Sequence, residues 1–394
     1  MRRITRIVLT AALVGALSLS GSAASAAIIQ IDDSARDPEL SIGSTGWSAK
    51  LYRFQGADRV ETARVAASLT DYATSGTSLG DVALLAASTG YADALASAPL
   101  AESLSAPVLL ANADGTVSPA VSTELARYDT VVIVSGRGLI PEKTAGALRA
   151  KGTNVVRYAG TSRFDTAAAL GLASLYWGSV RTGGGRHPAA SIGDWTAYIA
   201  DGLDFPDGLA AGPAAARDGN GVVLLTAGAE VGPVTDAAVH GRFAEARGVD
   251  TDAFAPLLAW WATASRGAQL TTNAVGAAAA SAAGGAGIPL VSSFVGRDRY
   301  ETAALVAKSS LERGIATNSF AIASGESFPD AVVAGAFAAN ASSPLLLSRA
   351  TALPASTVDV LSASVLNDSV VVVFGGEATL SRGVSRQLIE QLSW

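Results

Sequence analysis

Three arginines recur in this chain in matching company: Arg59, Arg163 and Arg299. Each sits in the middle of an eight-residue stretch (56–63, 160–167 and 296–303) that opens on a glycine and closes on Thr-Ala. Three aspartates recur beside them, Asp93, Asp207 and Asp330, each fourteen positions ahead of a landmark: Pro107, Gly221 and Pro344. A guanidinium at the first turn of a helix, among backbone N–H groups with no intrahelical partner, is suited to hold a phosphate or a carboxylate. Three such positions would let weak contacts to an anionic ligand sum. Set against the recurring aspartates, the same guanidinium would instead form a buried, bidentate pair that fixes how parts of the chain dock. Residue types alone leave both readings open.

The elements that must position these groups are legible around them. Short apolar runs at 51–54, 155–158 and 290–295 precede the glycines Gly56, Gly160 and Gly296, and alanine-rich stretches of helical spacing follow. The glycines are expected to take the positive φ of a sharp strand-to-helix turn. Asp58, Ser162 and Asp298 are the expected N-caps, with Glu61, Asp165 and Glu301 three residues on to complete capping boxes. Glycine and cap are thus assigned structural roles, whereas neither turn nor cap requires the arginine.

Continuous apolar runs joined by helix-length crossovers continue through 82–87, 108–111 and 131–135, which predicts a parallel sheet covered on both faces. The same order returns after Gly160 and again after Gly296, so the fold class is α/β, with three tandem doubly wound parallel-sheet units. Expected boundaries are a signal peptide at 1–26, an N-terminal tail at 27–48, and units at 49–152, 153–287 and 288–394, the second carrying an insertion at about 227–270. Within that insertion Trp260 and Trp261 offer either a stacking surface for a sugar ring or a plug onto the sheet. A fourth strand of the second unit is expected to end near residues 273–276, although the valine run of the other units is missing.

Composition narrows the chemistry. Arg2, Arg3 and Arg6, an apolar stretch at 7–19 and Ala24-Ser25-Ala26 read as a secretory signal, and no later run predicts a membrane span. Losing three arginines takes the formal charge from −6 to −9, which argues against nucleic acid as a partner. With no cysteine there is no disulfide framework or thiolate metal site. His187 and His240 stand too far apart in sequence to favour a histidine metal site or a Ser/His triad. No catalytic constellation, metal site or cofactor is expected.

The repeated Gly-x-Asp-Arg-aromatic-x-Thr-Ala core, clearest at 296–303, resembles the cell wall-binding repeat type 2 family of exported Gram-positive surface proteins. The resemblance continues through Tyr91-Ala92-Asp93, Phe205-Pro206-Asp207 and Phe328-Pro329-Asp330, then through Pro107-Val108-Leu109-Leu110 and Pro344-Leu345-Leu346-Leu347. The second unit departs from the pattern, with Ser162 in place of the aspartate and Gly221 in place of the proline. The resemblance implies a pseudo-threefold body that binds an anionic, teichoic-acid-like wall polymer without covalent attachment, on the cell surface, with any protein partner unidentified. Two other classes are weighed against it. A wall hydrolase would draw on Asp93, Asp207 and Asp330, but nothing in the sequence sets the separation that paired carboxylates need. A soluble-ligand binding protein would use the glycine-rich 183–185 or 135–138, and neither has the spacing of a nucleotide loop.

Overall fold

The computed structural model describes residues 29–31, 50–70, 77–180, 195–218, 220–243, 251–264, 270–313, 319–365 and 369–392. The signal peptide, most of the N-terminal tail, the glycines at 183–185 and His187 lie outside the described residues.

In chain order the first stretch comprises β1 (Ile29–Ile31), β2 (Lys50–Phe54), α1 (Arg59–Leu69), β3 (Val82–Ala87), a 3-10 turn at Tyr91–Asp93, α2 (Ser97–Ser103), β4 (Val108–Ala111), α3 (Pro119–Leu125), β5 (Thr130–Ile133) and α4 (Glu142–Arg149). The second follows with β6 (Asn154–Arg157), α5 (Arg163–Val180), β7 (Thr196–Asp201), α6 (Phe205–Arg217), β8 (Gly221–Thr226), α7 (Pro233–Val239), α8 (Thr251–Ala264), β9 (Thr271–Val275) and α9 (Ala277–Ala286). The third holds β10 (Leu290–Phe294), α10 (Arg299–Glu312), β11 (Ser319–Ser324), α11 (Phe328–Asn340), β12 (Leu345–Ser348), α12 (Ala355–Ser364), β13 (Val370–Phe374) and α13 (Arg382–Leu392).

Three sheets result, each with four parallel strands: β4-β3-β5-β6, β8-β7-β9-β10 and β12-β11-β13-β2. The strand that opens each repeat is not in the sheet of the strands that follow it. β6 completes the first sheet, β10 the second, and β2, from the start of the chain, completes the third beside β13. Boundaries drawn at 152/153 and 287/288 therefore each separate a strand from the sheet it finishes, and the exchange closes into a ring. β1, within the expected tail, adds antiparallel to the outer side of β2. β9 supplies the fourth strand of the second unit, ending at Val275 with threonine and asparagine in place of the valine run.

The strands are apolar because both faces are covered: every residue of β3, β4, β5 and β8 is buried. The interior is made by α2, α6 and α11, which pack on one another around an approximate threefold axis. Small side chains permit that approach. Ala98, Ala216 and Ala339 form their own buried cluster, and a Cβ on Gly212 would come within 2.9 Å of the Ala98 Cβ. No described helix is long and apolar enough to cross a membrane.

In the insertion, Trp261 is buried, stacked on Trp195 with ring centroids 4.6 Å apart, and its indole N–H donates to the Gly241 carbonyl at 2.6 Å. It plugs the insertion onto the second sheet, and Trp260 packs edge-on to Tyr176.

Candidate functional site

The repeated eight-residue stretch folds the same way three times. Asp58 Oδ1 accepts from the Glu61 N–H at 2.9 Å, and Asp298 Oδ1 accepts from Tyr300 and Glu301 at 3.0 and 2.9 Å. In the second copy the box is reciprocal: Ser162 Oγ accepts from the Asp165 N–H at 3.2 Å while Asp165 Oδ2 accepts from the Ser162 N–H at 3.0 Å. The glycines, however, are not needed for positive φ, which none of the three adopts. They are needed for space. A Cβ would lie 2.5 Å from the Glu61 carbonyl carbon at Gly56, 2.1 Å from the Asp165 Cβ at Gly160 and 2.3 Å from the Thr302 nitrogen at Gly296. That close approach lets each glycine N–H donate to the threonine of its own motif, Thr62, Thr166 or Thr302, at 3.0, 3.0 and 3.1 Å.

The motif arginines stand where the C-terminal ends of the strands meet the axis, the usual ligand face of an open parallel sheet. Arg163 donates to the Gly202 carbonyl at 2.6 Å, Arg299 to Gly325 at 2.8 Å and Arg59 to Ser88 at 3.3 Å, each within its own repeat. Two of them also lie over an aromatic ring of the preceding repeat: Arg163 is 5.7 Å from the Tyr91 centroid and Arg299 is 5.7 Å from that of Phe205. Tyr91, Phe205 and Phe328 meet on the axis as a triangle with centroid separations of 5.6, 5.5 and 6.3 Å. Pro206 and Pro329 occupy the first turns of α6 and α11, as the fixed φ of proline favours. The first repeat has Ala92 there and makes a 3-10 turn.

The recurring aspartates lie on the same face, one repeat back from the arginine that influences each. Burial pushes the Asp93 carboxyl up from its ordinary value, opposed by the Gly136 N–H at 2.9 Å and then by Arg163. Asp207 is pushed up to about 6 by burial, reinforced by Asp204 and Asp201 and opposed by Arg299. Asp330 is likewise pushed up to about 6 by burial, against a hydrogen bond from Thr379 and the field of Arg59. The pairing runs from second repeat to first, third to second and first to third, a closed cycle. Among the described residues, however, no ion pair joins Arg59, Arg163 or Arg299 to Asp93, Asp207 or Asp330. In place of a bidentate contact, each arginine acts on its aspartate at longer range, while its guanidinium donates to a backbone carbonyl of its own repeat. The one ion pair of the three arginines among the described residues joins Arg299 to Asp204 at 3.3 Å.

Two further arginines were overlooked by motif reading. Arg53 and Arg157, each three positions before the motif glycine, are buried at 3% and 5% exposure inside the junctions. Arg53 donates to the carbonyls of Gly375 and Leu380 at 2.7 and 2.9 Å and to Ser385 Oγ at 2.7 Å. Arg157 does the same for Ser135 and Ile140, at 2.6 and 2.9 Å. The available signal was an arginine at matched spacing in two of three copies, with Ser293 in the third.

Comparison with known proteins agrees with three tandem repeats. The model of the family described as Cell wall binding domain 2 (CWB2) matches residues 53–145, 157–288 and 294–385. The chain is 25% identical over 339 residues to the N-acetylmuramoyl-L-alanine amidase LytC of Bacillus subtilis (strain 168), a match covering 85% of this chain and 57% of LytC. Its fold is similar to those of Cwp8 and Cwp6 from Clostridium difficile, each with a TM-score of 0.63 at 19% identity, covering 87% and 93% of this chain and 51% of the other. The chain thus spans little more than half the length of the relatives it matches.

Proposed function

Because the chain belongs to the Cell wall binding domain 2 family, we propose that it is an exported, non-covalent wall-anchoring protein whose three repeats together hold an anionic secondary polymer of the Gram-positive envelope. The observation that carries this reading is the cycle of Arg59, Arg163 and Arg299 around the axial aromatic triangle. These three cations, one exposed and two half-buried, sit at helix N-termini on one face of an otherwise acidic molecule. Each would bind one charged group of the polymer, with the helix dipole adding to the attraction. Threefold repetition suits multivalent binding of a repeating ligand, where single weak contacts gain effective concentration from their neighbours.

The test is co-sedimentation with purified walls before and after hydrofluoric acid extraction of secondary polymers. Binding to intact walls that is lost on extraction is expected, and retained binding would point to peptidoglycan instead. Zymography on the same walls is expected to give no lytic band. The amidase named for LytC belongs to a protein of which this chain spans only part.

A second role for the same arginines is favoured by their committed hydrogen bonds and ring contacts, which clamp one repeat to the next. The substitution Arg163→Lys separates the two roles. Lysine keeps the charge but loses the planar fork, so unchanged wall binding with a lowered melting temperature indicates the clamp, and the reverse indicates the ligand site.

A further inference from the structure

The first repeat's outer junction contains a cleft of about 520 Å³ that belongs to no part of the axial face. One side is formed by α4 and β6 with Arg137, Arg149 and Arg157; the other is formed by Tyr176 and Trp177 of α5 and by Pro256 and Leu257 of the insertion helix α8. Glu142 is the acidic side chain among its described lining residues, and all three guanidiniums converge on it. Arg149 donates to Glu142 Oε1 at 2.5 Å, while Arg157 and Arg137 stand 3.6 and 3.7 Å from its Oε2. The Glu142 carboxyl is held below its ordinary value by the Arg149 hydrogen bond first and by the further arginines after it. Arg137 and Arg149 are well exposed at 64% and 47%, so their outer faces reach solvent inside the cleft. The opposite wall is rigid: Trp177 Nε1 donates to the buried Tyr158 hydroxyl at 3.0 Å, and Tyr176 is wedged edge-on against Trp177 and Trp260.

The matching junction between the third and first repeats is chemically different. There Glu377 occupies the position of Arg137, Arg382 that of Glu142 and Ile389 that of Arg149, aligned through the shared register of β5 and β13. The arginine-rich, aromatic-walled form is therefore particular to the junction that the insertion covers.

We infer that this cleft binds one acidic sugar residue, a ring bearing a carboxylate or phosphate, with the anion held by Arg137 and Arg149 and the ring resting against Tyr176. Its size falls within the range of small-ligand sites, and an aromatic face opposite a guanidinium pair matches a ring with one charged substituent. The inference rests on the wall-binding reading only for the source of the sugar, and it gives the insertion a function beyond packing.

Calorimetric titration of the full chain with trigalacturonate, glycerol 3-phosphate and the neutral maltotriose tests it. The expected result is saturable binding of at least one anionic probe and none of maltotriose. The Arg137→Ala/Arg149→Ala pair should weaken that binding at least tenfold, and Tyr176→Ala should weaken trigalacturonate more than glycerol phosphate. Glu142→Gln, which removes the competing carboxylate, should strengthen it severalfold. These arginines are exposed, so melting curves of the double variant should stay close to the parent. Failure of every anionic probe to bind better than maltotriose, or unchanged binding in the double variant, overturns the inference. Wall co-sedimentation keeps the two proposals apart: a parent chain that sediments with walls but ignores all probes loses only the cleft, whereas one that binds probes but not walls loses the anchoring function.

Discussion

The first and third sheets differ from the second in the passage from the third parallel strand to the next helix. In the first, eight residues (134–141) and in the third, seven (375–381) intervene between the end of the strand and helix α4 or α13, and a buried arginine from the neighbouring repeat, Arg157 or Arg53, ties the loop down. In the second, α9 starts at Ala277 directly after Gly276, and the residue in the arginine's place is the exposed Ser293. The arginine is absent where the loop is absent, although the strand pairing is retained. Its role is therefore to satisfy loop carbonyls across a repeat boundary, and it is distinct from the motif arginine, which is present in all three copies. The second sheet is joined to the third repeat by a different clamp, in which Arg313 donates to Asp218 Oδ1 at 2.6 Å and to the Tyr198 hydroxyl at 3.0 Å.

Arg157→Leu should produce the largest effect. It strands two carbonyls in a buried site and costs roughly 3 kcal/mol or more, which calorimetry would read as a fall in Tm of about 6 °C or more. Arg53→Leu should act similarly. Burial draws the Arg53 guanidinium below its ordinary pKa, with Glu377 opposing, and the buried charge is compensated by its hydrogen bonds to Gly375, Leu380 and Ser385. A loss below about 1 kcal/mol in either variant would remove the distinction between looped and loopless junctions.

Next in size is Gly160→Ala, whose new methyl would collide with the Asp165 Cβ inside the capping box. A cost of about 1–3 kcal/mol is expected by urea denaturation. This glycine also marks how far the sequence could be read. The repeat, the caps and the α/β class followed from short-range pattern, because periodicity and capping are local. The reason for the glycine did not, since contact with the first helical turn is a matter of three-dimensional closeness rather than of φ. The strand exchange was hidden for the same reason: the runs at 51–54 and 155–158 look alike in sequence, and only packing decides which sheet they complete. Asp93, Asp207 and Asp330 are recognisable as a set, but the arginines donate to the carbonyls of Ser88, Gly202 and Gly325, acceptors whose positions no side-chain motif announces.

Smaller is the pH response of Asp330, in the looped third sheet, whose upward shift Asp207 of the loopless second unit shares. Its folded value of about 6 lies above the ordinary 3.8, so between these pH values the folded chain holds a proton that the unfolded chain has released. Stability from this group is complete below the ordinary value and is lost as pH rises through about 6. Oδ1 of Asp330 is buried without a hydrogen-bond partner among the described residues, so nothing there favours the ionised form on that side. Asp330→Asn fixes a neutral group of the same shape. Melting curves from pH 4 to 7.5 should show a smaller decline with pH for the variant than for the parent, and at pH 7 a Tm equal to or above it. A parent whose Tm is flat across this window would contradict the shift.

The smallest effect sharpens the comparison most. If the arginine three positions before the motif glycine were a general requirement of strand exchange, restoring it with Ser293→Arg would stabilise the second junction. If it serves only the loop, the new side chain has no carbonyls to meet, because α9 begins where the loop would be, and it would extend from the exposed strand β10 into water. The change should then stay within about 0.5 kcal/mol, as for other exposed positions. A gain above about 1 kcal/mol by chemical denaturation would show that the second junction also holds buried acceptors for a guanidinium, and the assignment of Arg53 and Arg157 to their loops would have to be abandoned.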